Sequence, residues 1–180
     1  MHDGLMLVHN TLVAAGLRDQ IRIGAAGKIV TAFDVARTLA LGADWCNAAR
    51  GFMFALGCIQ SLSCHTGHCP TGVATQDKLR QRALVVTDKA ERVFHFHRNT
   101  LEALRELLQS AGLLSPSQLR PHHIMHRKSA QEIVPLSELH RFLEPGALLV
   151  PGGAAACGAP WAQWWERAQA EHFHPRPRVA

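Results

Sequence analysis

The sequence contains no tyrosine, and aromatic residues make up only 6% of it. Its 19 Lys and Arg are spread along the chain, and only Arg80 to Arg82 and His122 to Lys128 form local basic groups. A nucleic-acid platform needs aromatic faces interleaved with a basic track, and neither group has them, so no nucleic-acid partner is expected. No apolar run approaches the ~18 residues of a membrane span, so no membrane partner is expected either. Asp3 and His9 stand where a secretory leader needs a basic region followed by an unbroken apolar run. The expected compartment is the cytoplasm. Thiols stay reduced there, which argues against disulfides, and the odd count of five cysteines agrees.

What is present suits one domain, or a domain with a tail: 180 residues, 47% hydrophobic and 18% charged, enough for a real core. The formal charge of +5 suits an anionic ligand. Apolar positions at Leu5, Leu7, Val8, Leu12 and Val13 predict an amphipathic helix over residues 4 to 17, ending near Gly16. "IRIG" (21 to 24) is short and β-branched, and "AAGK" (25 to 28) is a small-residue turn. Phe33, Val35, Ala36, Leu39 and Leu41 then predict a helix over 32 to 41, with Thr31 as N-cap and Gly42 as stop. "DWCNAARG" predicts a second strand running into another glycine-containing turn. This order predicts an α/β fold: two adjacent parallel strands, near 20 to 24 and 44 to 48, joined by the helix crossing between them.

Residues 87 to 113 hold the longest helical pattern, with Val93, Phe94, Leu101, Leu104, Leu107 and Leu108 near one face, Asp88 as its cap and Gly112 as its end. Ser115 before Pro116 opens a short helix. Beyond residue 145 the chain is small-residue and loop-like until a last amphipathic helix from Trp161 to Phe173, followed by a frayed end. Two strand–turn–helix units cannot close a parallel barrel, which takes eight strands. The chain is therefore expected to be the tail of something longer.

Two places carry chemistry. The turns "IGAAGK" and "NAARG" each follow a predicted strand, and small residues there let backbone N–H groups approach a phosphate. Lys28 and Arg50 add charge, Arg50 with a fork that grips phosphate oxygens. The alternative is that small residues merely permit tight turns. The second place is "GCIQSLSCHTGHCPTGVATQ" (57 to 76), with Cys58, Cys64 and Cys69 in one segment and His65 and His68 interleaved. Three cysteines suit a three-iron cluster, or a four-iron cluster with one outside ligand. Two of them with His65 or His68 suit zinc, and an unligated loop is the third option. Cys46 and Cys157 stand apart as packing residues. The histidines of "HFHRN" and "PHHIMH" lack partners at ligand spacing, and the tryptophans at 161, 164 and 165 are expected to pack the final helix on the body.

The stretch from Gly42 to Gln76, "GADWCNAARGFMFALGCIQSLSCHTGHCPTGVATQ", resembles the synthase domain of the glutamate synthases, especially the stand-alone FMN-binding glutamate-synthase-like proteins of bacteria. The resemblance extends from about residue 4 to about residue 145. It implies that this is the C-terminal part, about strands seven and eight, of an FMN-binding (β/α)8 TIM barrel, followed by a cysteine-rich cluster loop and C-terminal helices. The implied organisation is last barrel units with the phosphate turns in 1–57, the cluster loop in 58–76, a helical extension in 77–145, and a loop-rich tail with a terminal helix in 146–180.

By that resemblance Cys58, Cys64 and Cys69 are the ligands of a [3Fe-4S] cluster, and Gly27, Lys28, Ala49 and Arg50 cradle the FMN phosphate. The departures lie in the turns: Ala26, Gly27 and Lys28 replace an Asp-Gly-Gly, and Ala49 and Arg50 replace a Gly-Thr. The implied activity is reductive formation of L-glutamate from 2-oxoglutarate and glutamine-derived ammonia. Electrons would come from a donor protein or subunit. The resemblance assigns no catalytic residue here, the flavin-ring and 2-oxoglutarate contacts coming from barrel strands one to six, and the chain is expected to be inactive without that missing N-terminal barrel portion. The alternative is a non-catalytic fragment binding zinc or an iron–sulfur cluster.

Overall fold

The first helix, α1 (His2–Ala14), forms where the apolar spacing places it but turns a different face inward. Leu5, Met6, Asn10 and Ala14 are buried, whereas Leu7 and Val8 are 43% and 49% exposed. Its end is a Schellman turn: Gly16 adopts φ +68, with its N–H on Val13 O and the Leu17 N–H on Leu12 O at 3.0 and 2.8 Å. This computed structural model describes residues 1–171, 174 and 176.

Strand β1 (Gly24–Ala26) begins later than the β-branched "IRIG" suggests. Residues 17 to 21 are taken up by a turn, in which the N–H groups of Gln20 and Ile21 both donate to Leu17 O and Arg18 Nη1 donates to Ile21 O at 2.9 Å. The strand therefore starts at Gly24 and recruits two residues of the expected turn. Helix α2 (Ala32–Ala40) follows, and Thr31 is its N-cap as expected. Asp34 N–H donates to Thr31 Oγ1 at 3.1 Å, and Thr31 N–H donates to Asp34 Oδ2 at 3.0 Å, a capping box worth about 1 kcal/mol. Gly42, at φ +106, ends the helix. Phe33, expected inward, is 46% exposed. Its neighbours Ala32 and Ala36 take the buried stripe instead.

Strand β2 (Trp45–Asn47) pairs with β1 in parallel, in the register Gly24↔Trp45, Ala25↔Cys46, Ala26↔Asn47. The expected strand–helix–strand unit is present. Ala25 is buried while Gly24, Ala26, Trp45 and Asn47 are exposed, so one face of this two-stranded sheet is uncovered. Helix α3 (Ala49–Ala55) starts two residues after β2, where the sequence reading had only a turn.

Past the cysteine segment come α4 (Lys78–Gln81), capped by Asp77, and the long α5 (Val86–Ser110). The cap position of α5 is Val85, and Asp88 lies inside the first turn, so the expected Asp88 cap is not formed. Leu104 and Leu108 are buried, while Phe94 and Leu101 are 59% and 51% exposed. Gly112 terminates α5 at φ +71, and the Ser115 capping box opens a tight turn at Pro116–Gln118. A hairpin the sequence did not announce, β3 (Met125–Arg127) with β4 (Ile133–Pro135), pairs antiparallel and runs into α6 (Leu136–Leu139). β3 is Met-His-Arg, exposed throughout, and β4 is an unbroken Ile-Val-Pro run, so neither carries an alternation to betray it.

The tail is more structured than expected: α7 (Gly153–Cys157) lies where a loop was predicted, and α8 (Trp161–Trp164) passes into a tight turn at Trp165–Arg167. The helix predicted from 161 to 173 therefore breaks by residue 168, and residues 172 and 173 lie outside the described residues. Most of the expected frayed end lies outside them as well.

Among the described residues, two apolar clusters hold the chain. The larger joins Leu5, Ile23, Ala36, Leu41, Leu104, Ile124 and Leu136, each full-sized aliphatic worth roughly 1.5–3 kcal/mol on burial. The smaller packs Leu143, Leu148, Cys157 and Trp161 around Ala14. Buried Asn10 ties the tail to α1: its Nδ2 donates to Arg141 O at 2.9 Å and its Oδ1 accepts from Leu143 N–H at 3.1 Å. Among the described residues no helix is long and apolar enough to cross a membrane.

Candidate functional site

A parallel strand pair carries both strand-to-helix turns out at the same end. Here the turn after β1 and the start of α3 after β2 meet around a cavity of about 370 Å³. Gly27, Lys28, Ala49 and Arg50, the four residues proposed from sequence, all line it, and all four are exposed. Gly27 sits at φ +147, and a Cβ there would come within 3.0 Å of the Met1 sulfur. No side chain caps α3, so its first amides are not occupied by a capping group. Two cations, small residues and uncapped amides make this cavity suited to an anion.

The opposite wall comes from the cysteine segment. Cys58, Gln60, Leu62 and Cys64 line the same cavity. Among the described residues, three non-glycine residues have positive φ: Lys28 (56), Gln60 (57) and Leu62 (58). All three border this one cavity. A left-handed non-glycine residue costs about 1–2 kcal/mol, and such conformations concentrate at binding sites.

All five cysteines are free thiols. Cys64 is exposed in a tight turn at Cys64–Thr66, Cys58 is half-buried, and Cys69 is buried. Cys69 does not line the cavity, and among the described residues no group of three or more His, Cys, Asp or Glu converges as a metal site. The structure thus brings Cys58 and Cys64 to the phosphate turns and leaves Cys69 a step behind them. Cys69 is nonetheless chemically distinct. The Thr71 hydroxyl lies 3.5 Å from its sulfur. That contact, with the amides of Ala74, Thr71 and Val73, outweighs burial and brings the thiol down to about 7. Cys46 is the contrast: burial pushes it up to about 11, which suits a packing residue.

The segment is anchored at its far end. Thr75 Oγ1 donates to Gly67 O, Gln81 Nε2 donates to Thr75 O at 2.9 Å, and a Cβ at Gly72 would strike the backbone of α4 at Arg80. At the cavity end the side-chain hydrogen bonds are local, such as Ser61 with Ser63 at 2.9 Å. His65 and His68 are exposed and belong to no metal-binding group among the described residues.

Residues 1–114 match the family model described as the conserved region in glutamate synthase. The chain belongs to the glutamate synthase family. It is 43% identical over 140 residues to the glutamate synthase large subunit-like protein YerD of Bacillus subtilis, covering 77% of this chain and 27% of that protein. It is 37% identical over 113 residues to the ferredoxin-dependent glutamate synthase 2 of Synechocystis sp., covering 62% of this chain and 7% of that protein. With the glutamate synthase [NADPH] large chain of Azospirillum brasilense the identity is 33% over 117 residues, covering 64% and 8%. The chain therefore spans about a quarter of the first relative and less than a tenth of the other two.

Within this glutamate synthase family chain, the matched region contains β1 and β2, the turns that follow them, the whole cysteine segment and all of α5. Sequence reasoning missed Met53, Gln60 and Leu62 as cavity residues, and included Asn47 in the "NAARG" turn without singling it out. Asn47 had a signal, since the last residue of a parallel strand opens onto the turn end of the sheet. Gln60 and Leu62 had none, because their left-handed backbone is decided by how the segment folds back on α3.

Proposed function

We propose that this chain is the segment of a glutamate synthase-type oxidoreductase that holds the phosphate of FMN and a [3Fe-4S] cluster. The whole enzyme would form L-glutamate reductively from 2-oxoglutarate and glutamine-derived ammonia, in the cytoplasm. One observation carries the reading: Lys28 and Arg50 share a single cavity with Cys58 and Cys64, so anion-binding and thiolate-bearing segments meet. The donor chemistry fits, since three free thiols lie within twelve residues and Cys69 is already biased toward thiolate.

When bound, FMN would supply hydride and the cluster a path for electrons from a donor protein or subunit. This chain's own part is holding and charge balance. Arg50 and Lys28 neutralise the phosphate, Arg50 through two parallel N–H donors. Gly27 and Ala49 keep side chains out of its way, and Cys58, Cys64 and Cys69 supply three soft thiolates. The remaining barrel strands, an expected partner, would bring the flavin-ring and substrate contacts.

The test is anaerobic reconstitution of the 180-residue chain with ferrous iron, sulfide and FMN, followed by metal analysis and visible spectroscopy. The unaltered chain should bind iron and sulfide and quench FMN fluorescence. Cys64→Ser should lose the iron but keep FMN, because an alcohol is a poor ligand for iron. Arg50→Gln should keep the iron and weaken FMN binding at least about tenfold, the loss of its charge-assisted pair of hydrogen bonds. Iron retained by Cys64→Ser would overturn the cluster assignment, and zinc bound in preference to iron would favour a metal-binding fragment.

A further inference from the structure

A second cavity, of about 510 Å³, shares no residue with the site above and lies at the other end of the strand pair. The phosphate turns leave β1 and β2 after Ala26 and Asn47. This cleft instead surrounds Asp44 and Gly42, just ahead of β2, together with the turn ahead of β1 and the segment from Pro116 to Pro121.

Its electrostatics are unbalanced. Arg18, Arg22 and Arg120 line it against one carboxylate, Asp44. That carboxylate is fully engaged: Ile23 N–H donates to Oδ2 at 2.6 Å, Arg18 Nη2 at 2.8 Å, and Arg22 Nη1 donates to Oδ1 at 3.2 Å. Arg18 is also spent on Gly42 O and on His9 Nδ1. His9 adds no charge, because burial and Arg18 lower its pKa and its Nδ1 accepts a hydrogen bond.

Two guanidiniums therefore have capacity left. The side chain of Arg22 is 70% exposed and, among the described residues, its one polar partner is Asp44. Arg120 uses Nη1 on the carbonyls of Ser117 and Leu119, both at 2.8 Å. Among the described residues it has no carboxylate partner, and its Nε and Nη2 donate to nothing. Three guanidiniums against one carboxylate leave two positive charges in a cleft that also presents Leu39 and Phe142.

We propose that this cleft binds a small dicarboxylate at a second site, with Arg22 and Arg120 each taking one carboxylate. Guanidinium forks match carboxylate geometry bidentately. Two separate forks beside apolar side chains suit two anionic ends on a short carbon chain better than one compact anion. The volume lies within the range of small-molecule sites. This inference does not depend on the FMN and cluster assignments.

The probe is glutarate, titrated into the whole chain while amide and arginine Nε–H resonances are followed by NMR, with inorganic phosphate as the second arm. Glutarate should saturate, shift Asp44, Arg22 and Arg120, and bind more tightly than phosphate. Arg120→Gln should weaken it at least about tenfold, the expectation for losing a charged hydrogen-bond donor. Arg22→Gln should do the same, and because that side chain is largely in solvent this variant guards against a mere folding defect. Arg50→Gln, at the other cavity, should leave glutarate binding unchanged. Non-saturating shifts, phosphate binding as tightly as glutarate, or full affinity retained in both arginine variants would overturn the proposal.

Discussion

Replacing Asn10 with alanine tests whether the tail is held to the body by one buried polar side chain. Asn10 is 3% exposed and makes two hydrogen bonds across more than 130 residues of sequence. Alanine removes both and leaves the Leu143 N–H, which is buried, with no replacement donor–acceptor pair. A buried unsatisfied group costs about 1–3 kcal/mol. The Arg141 carbonyl belongs to an exposed residue and can regain water, so its loss lies at the low end of that range. The sum is a destabilisation of about 2–4 kcal/mol. The tail should not detach entirely, since Gly146 and Leu148 N–H still bond Val13 and Ala14 carbonyls at 3.2 and 3.0 Å, and Trp161 Nε1 still donates to Thr11 at 2.8 Å. Urea unfolding followed by tryptophan fluorescence reports this directly, because three of the four tryptophans lie between 161 and 165. Val8→Ala, on the exposed face of the same helix, is the control. A change in Asn10→Ala below about 0.5 kcal/mol, the ordinary scatter of surface substitutions, would refute the clamp.

Thr31→Ala removes one half of the capping box of α2 and should cost about 1 kcal/mol in the same urea assay. Acid should weaken the β1–β2 junction. Burial works to raise the Asp44 pKa, but the Ile23 amide, Arg18 and Arg22 outweigh it and hold the carboxyl below its ordinary value. Its stabilising contribution is thus present above an ordinary pKa of 3.8 and is lost as pH falls below that through the depressed value. His9 acts earlier in the same direction: its folded pKa lies below the ordinary 6.5, so the unfolded chain takes the proton first and stability declines as pH drops below that value. Melting temperature against pH should show both declines. Asp44→Asn should shrink the lower one to the share left by Asp34, where burial is likewise outweighed by the Thr31 and Val30 hydrogen bonds and Arg37, so that this carboxyl also lies below its ordinary value. In a thiol titration of the metal-free chain, one cysteine should ionise near 7 and be absent from Cys69→Ser, while Cys46 should stay protonated until about 11.

What the sequence determined by itself is what short-range chemistry decides. Thr31 and Asp34 three residues apart must cap a helix, and Gly16, Gly42 and Gly112 end theirs because a left-handed residue costs glycine little. The strand–helix–strand order then forces the turns after Ala26 and Asn47 to one end of the sheet, so Lys28 and Arg50 could be named together without coordinates. The spacing of Cys58, Cys64 and Cys69 singled out the segment that supplies the other wall, although only Cys58 and Cys64 line the cavity. Tertiary structure decided what no local window contains. Asn10 faces inward because Arg141 and Leu143 offer it a carbonyl and an amide from the far end of the chain. Gln60 and Leu62 are left-handed because the segment after α3 folds back over the cavity. The β3–β4 hairpin exists by pairing, with both strands lacking an apolar alternation. The clustering of Arg18, Arg22 and Arg120 belongs to the same class, since a hundred-odd residues separate charges that long-range packing places in one cleft.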